Sequence, residues 1–127
     1  MNLEKYFTDT KGTAVFASAN DEGEVNTAIF SRPHIAENGR MIFIMGDNKT
    51  HENLQTNPRA SFLFMETGPG YRGRRFSLTK TAEEENDELV QKLCRRCRDV
   101  NDPDSMRKRY VVYFNIDKEL PLIGAGE

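Results

Sequence analysis

Cysteine is nearly absent. Of 127 residues only Cys94 and Cys97 carry a thiol, too few for the disulfide framework of a small secreted scaffold and in keeping with a reducing compartment. Neither sign of charge dominates: 18 Lys and Arg stand against 20 Asp and Glu, for a formal net charge of −2. No overall field draws in nucleic acid or an anionic membrane, so any anion site must be local. No apolar run approaches the roughly 20 residues a membrane helix needs. The opening Met1 to Phe7 has no basic segment leading into an apolar one. The expectation is a cytoplasmic protein with no nucleic-acid or membrane partner. Histidine is scarce too. His34 and His51 have no second ligand at metal spacing, and no Ser/His/Asp order can be drawn, so neither a metal site nor hydrolase chemistry is expected.

What is present reads as one domain over residues 1–127, within the usual span of about 100 to 200 residues. Leu3, Tyr6 and Phe7 at helical spacing predict a short helix over Asn2 to Asp9 that covers a barrel end. Gly12 to Ala19 and Val25 to Ser31 read as strands joined by the turn Asn20 to Gly23, a hairpin. Pro33 ends the second strand because it offers no ladder N–H. Arg40 to Met45 is apolar on both faces and predicts a strand buried on both. Thr50 to Asn57 reads as a short helix closed by Asn57-Pro58, Arg59 to Glu66 as a fourth strand and Arg75 to about Ala82 as a fifth. Asn86 to Arg98 is amphipathic, with Leu89, Val90, Leu93, Cys94 and Cys97 on one stripe that packs on the sheet. Tyr110 to Ile116 is the sixth strand. Short connections and few helices predict a mainly β protein, a six-stranded antiparallel barrel with two to three flanking helices.

Two motifs mislead by spacing alone. Gly68-x-Gly70-x-x-Gly73 matches a dinucleotide fingerprint, but Pro69 sits inside it and a strand, not a helix, follows. Cys94-x-x-Cys97 has no second pair and no nearby histidine, so both sulfurs read as core. Arg72, Arg74 and Arg75 concentrate positive charge, which calls for an anion nearby or for carboxylates such as Glu83, Glu84 and Glu85.

The segment Met41 to Pro58 holds the strongest chemistry. A buried strand ends at Gly46-Asp47-Asn48 and runs into a helix start carrying Lys49, Thr50 and His51. Such a start presents unpaired N–H groups and partial positive charge, a phosphate site in outline. Ordinary capping by Asn48 or Thr50 beside a solvated lysine fits the same residues.

The order of these parts, strand, polar turn with a basic residue, short helix with Asn53-Leu54, then Asn57-Pro58 and another strand, resembles the FMN-binding split barrels of the pyridoxamine 5′-phosphate oxidase family. The likeness extends to the opening hairpin, the Gly73-Arg74-Arg75 strand start and Leu120 to Gly124. It implies that the barrel is a split β-barrel of Greek-key type, that Lys49, Thr50 and His51 hold the FMN phosphate with help from Asn53, and that Ile44 and Met45 border the ring. It further implies that Phe30, Ser31 and Arg32 line the flavin, Arg32 by its bidentate fork, and that Arg75 reaches the cofactor. The implied protein is an FMN-binding flavoprotein, an oxidoreductase of unknown substrate, that works as a homodimer with cofactor at the interface and a small-molecule or redox-protein electron donor. A non-enzymatic FMN electron carrier and a haem- or deazaflavin-binding barrel are the alternatives, with His34 or His51 as the haem ligand. Two departures bear on this. Thr50 stands where better-known members carry a second basic residue, and the arginine- and tryptophan-bearing C-terminal segment that holds pyridoxal substrates has no counterpart. Vitamin B6 synthesis is therefore not expected.

Overall fold

The computed structural model describes residues 2–93 and 108–124. Its elements run α1 (Leu3–Asp9), β1 (Gly12–Ala19), β2 (Val25–Phe30), β3 (His34–Ile35), β4 (Met41–Gly46), α2 (Lys49–Thr56), β5 (Arg59–Glu66), β6 (Gly73–Glu84), α3 (Asp87–Leu93) and β7 (Arg109–Pro121). Cys94 and Cys97, expected in the core, lie outside the described residues.

All pairings are antiparallel, and the seven strands form one sheet in the order β2-β1-β5-β6-β7-β4-β3. The expected count of six is therefore corrected to seven. The added strand is β3, where His34 and Ile35 pair with Ile42 and Met41. Two residues cannot display an alternating pattern, so a strand this short leaves no periodic signal. β6 and β7 are also longer than the sequence suggested. They pair over most of their length with register shifts at Ser77/Leu78 and Lys80/Ala82, bulges that bend long strands and let a sheet curl.

Curling is what makes the core. β1 and β4 are not neighbours in the sheet, yet Phe16 and Phe43 meet edge-to-face at 5.1 Å between ring centroids. Phe30 on the edge strand β2 reaches Phe43 at 5.9 Å. Phe43 also touches Phe62 at 5.0 Å and Phe114 at 5.7 Å. The inner face thus carries a ladder of phenylalanines from five strands, in the tilted and edge-on geometries that ring quadrupoles favour. α1 closes one end through Phe7, fully buried against Phe62, Phe64 and Phe76. Tyr6 fastens it there: its hydroxyl donates to Glu66 at 2.6 Å and Arg74 lies over its ring. Burial first, and then the Glu66 carboxylate, push its phenol up to about 12.

β4 is buried on both faces, as its apolar run predicted. Met41, Phe43 and Met45 enter the phenylalanine core, while Ile42 and half-buried Ile44 face a second cluster with Val111 of β7 and Leu89, Val90 and Leu93 of α3. The described part of the amphipathic helix packs by the expected stripe.

The remaining outer face is different in kind. Across β2, β1, β5, β6 and β7, the register aligns Ile29, Val15, Leu63, Arg75 and Leu120 in one row. Ile29 is 58% exposed and Val25 83%, whereas Asn26, on the inward side of the same strand, is half-buried. β2 therefore turns the apolar Val25 and Ile29 outward beside Thr27, while Phe30 faces the core.

Candidate functional site

Where β4 ends, the chain turns at Asp47-Asn48 and starts α2. Asn48 is in extended conformation and its side chain accepts from His51 N–H at 3.1 Å, while Glu52 N–H bonds the Asn48 carbonyl at 3.0 Å. An N-cap of this kind satisfies the third N–H of the helix. Among the described residues, the N–H groups of Lys49 and Thr50 are left as the open donors of the first turn.

Around these two donors the side chains divide. The Lys49 ammonium is about half exposed, with Glu52 at 3.9 Å. Thr50 is buried, and Asn26 of β2 approaches its hydroxyl at 3.5 Å. Asn53 is fully buried; its Nδ2 donates to Ser18 Oγ of β1 at 3.1 Å, and its Oδ1 has no partner among the described residues. His51 turns to the opposite side. Its ring stacks on Tyr110 at 3.8 Å and 9°, and its Nε2 faces Glu83 at 3.0 Å. Burial pushes the Glu83 carboxyl up, but hydrogen bonds from Lys80, Gln55 and His51 outweigh it and bring the pKa down to about 2.

The other expected contacts lie elsewhere. Phe30 packs half-buried on Phe16 at 5.3 Å. The half-buried Ser31 follows it, just past the far end of β2 from Asn26, about 17 Å of extended chain away. Arg32 donates to the carbonyls of Thr8 and Thr10, at 3.2 and 2.9 Å, where it complements the negative end of α1. Ile44 and Met45 point to opposite faces of β4, so their side chains do not share one wall. Arg75 donates to the carbonyls of Pro121, at 2.9 Å, and Gly124. Lys49, Thr50 and Asn53 thus stand in the first half of α2 with His51 on its flank; Ile44 and Met45 lie on the strand that leads into this helix, Phe30 packs in the core with Ser31 just beyond it, and Arg32 and Arg75 bind main-chain carbonyls. The arginine run finds its anion in Glu119, paired with Arg74, not in the glutamate run. Glu83 serves Lys80 and His51, Glu84 accepts from Tyr113, and Glu85 pairs with Lys108.

Sequence reasoning looked to the second strand from Asn26 onward but missed Ser18, Glu83 and Tyr110 as members of this neighbourhood. Asn26 did carry a signal, a polar residue on the inward register it shares with Ala28 and Phe30. Nothing local marks Glu83 or Tyr110.

Among the described residues the architecture is a curled antiparallel sheet flanked by three helices, a split barrel. Solved structures confirm the class. An FMN-binding protein from Syntrophomonas wolfei superposes with a TM-score of 0.76 at 19% identity, covering 96% of this chain and 84% of that one. A putative pyridoxamine 5′-phosphate oxidase from Lactobacillus delbrueckii gives 0.67 at 12% identity, over 94% and 92% of the two chains. HutZ, the heme storage protein from Vibrio cholerae, gives 0.70 at 14%, over 94% and 91%. At these identities the likeness shows the fold, a split barrel of the pyridoxamine 5′-phosphate oxidase type. No family model and no curated protein sequence matches the chain. None of the described helices is long and apolar enough to cross a membrane.

Proposed function

We propose that the protein is an FMN-binding flavoprotein of the cytoplasm, an oxidoreductase that works as a homodimer with its cofactor at the subunit interface. The observation that carries this reading is the start of α2. Two open N–H groups lie there, beside the half-exposed Lys49 ammonium and the buried Thr50 side chain, a helix start suited to a terminal phosphate. The fold shared with an FMN-binding protein supports it. Bound FMN supplies hydride or single-electron chemistry, received from a small-molecule or redox-protein donor, and no side chain need act as acid or base. The chain's own part is to bind and orient.

The dimer is supported by the outward row of Ile29, Val15, Leu63 and Leu120. Exposed apolar surface of this kind marks an interface, and the face includes Arg75, which a second copy would bury. A haem reading has less support among the described residues. Both nitrogens of His34 are engaged, by Glu4 at 3.2 Å and the Leu93 carbonyl at 2.7 Å, and His51 is committed to Glu83 and Tyr110.

The test is the absorbance spectrum of the purified protein, chromatography of what heat releases, and titration with FMN. Flavin bands or saturable FMN binding, weakened in Lys49→Glu, are expected. Failure to bind FMN at any concentration tried would overturn the reading.

A further inference from the structure

α2 is tied to the sheet from two sides. Toward β1 and β2 the ties are uncharged, Asn53 to Ser18 at 3.1 Å and Asn26 to Thr50 at 3.5 Å. Toward β6 and β7 the tie is charged and stacked. The His51 side chain is 9% exposed, its ring lies nearly parallel on Tyr110, and its Nε2 meets Glu83 at 3.0 Å. Glu83 also holds Lys80, and Gln55 donates to both Glu83, at 3.0 Å, and the His51 carbonyl, at 3.1 Å. One imidazole thus couples three elements, and it sits on the same helical turn as the two open N–H donors.

The N–H groups of a helix cannot move independently of its turn, because their directions are set by the backbone. Whatever fixes His51 therefore fixes where the Lys49 and Thr50 N–H groups point. We infer that His51 is a positioning residue for the anion donors of α2, acting through Glu83 and Tyr110 and not by touching the ligand. This rests on the FMN reading. It replaces the direct phosphate contact that the family likeness implied for this residue, since one nitrogen is taken by a carboxylate and one ring face by a phenol. Glu83 becomes part of the binding apparatus although it repels phosphate.

The experiment is a double-mutant cycle on FMN affinity, read by quenching of flavin fluorescence in the full-length protein. His51→Phe keeps a flat ring against Tyr110 and removes the Nε2–H; Glu83→Ala removes the acceptor. Each is expected to weaken FMN about tenfold, the scale of one charge-assisted hydrogen bond. The double variant should bind no more weakly than the worse single one, since both break the same tie. Glu83→Gln, whose amide oxygen still accepts from His51, should recover most of the loss, which a general destabilisation would not produce. Loss in His51→Phe with full affinity in Glu83→Ala would mean direct contact and overturn the inference. Unchanged affinity in both would overturn it as well. If His51→Phe does not fold, Glu83→Ala against Glu83→Gln decides alone: equal affinities refute the inference, and loss with recovery supports it. A wild-type protein that binds no FMN removes the FMN reading and this inference with it, whereas a wild type that binds alongside unaffected variants removes the inference only.

Discussion

Replacing Glu83 by glutamine should take away a block of stability that depends on acid. The carboxyl titrates at about 2 in the folded chain against 4.5 for an ordinary glutamate. Each unit on the pKa scale is worth about 1.4 kcal/mol, so the full difference is about 3 kcal/mol. Its side chain is 24% exposed, and solvent screening reduces the expected contribution to about 1–2 kcal/mol. Because the folded pKa lies below the unfolded one, this contribution is complete above about pH 5 and is lost as pH falls through 4.5 toward 2. Urea unfolding of wild type and Glu83→Gln, followed by circular dichroism from about pH 7 to about pH 3, measures it directly. The wild type should be the more stable by about 1–2 kcal/mol at neutral pH, and the two should converge as acid protonates Glu83. Other carboxylates titrate in both proteins and cancel in the difference when they are distant. A gap that stays constant down to about pH 3 would refute the assignment of this network as the cause.

Phe43→Ala should cost about 3–5 kcal/mol, because the ring is 2% exposed and touches four other phenylalanines; a thermal or urea midpoint close to wild type would contradict the closure of the barrel at this residue. Gly73→Ala should destabilise by about 2 kcal/mol or more, since φ is 155° and a Cβ would stand 2.0 Å from the Phe64 carbonyl oxygen; soluble expression with an unshifted melting point would count against that geometry. Ile29→Glu puts a charge on an already exposed position, so light scattering should find the wild type dimeric and the variant shifted to monomer with its melting point little changed. A monomeric wild type, with and without FMN, would remove the dimer from the proposal.

Local pattern was enough for most elements. Alternation in Gly12 to Ala19, the Asn20 to Gly23 turn and the double-sided apolar run of β4 report burial within a few residues, and the structure carries each of them. β3 was illegible because two residues have no period, and the length of β7 because the charged residues Asp117 to Glu119 mask a strand sustained by pairing with β6. At the site, the cap on α2 was readable since Asn48 and His51 are three residues apart in sequence. The fate of the arginines was not. A guanidinium satisfied by the end of a helix or by the chain's last described carbonyls looks, in sequence, like one awaiting a phosphate.

The sequence by itself determined a strand-rich, nearly neutral chain with a short helix capped by Asn48 after the third predicted strand, because propensity, turn chemistry and capping act over short stretches. Only the tertiary structure decided that β4 lies beside β7, that Arg32 and Arg75 are occupied with main-chain carbonyls, and that Glu83, 32 residues away, closes on His51. Those outcomes follow from how a curled sheet brings distant strands into contact, and no local periodicity encodes which partners will meet.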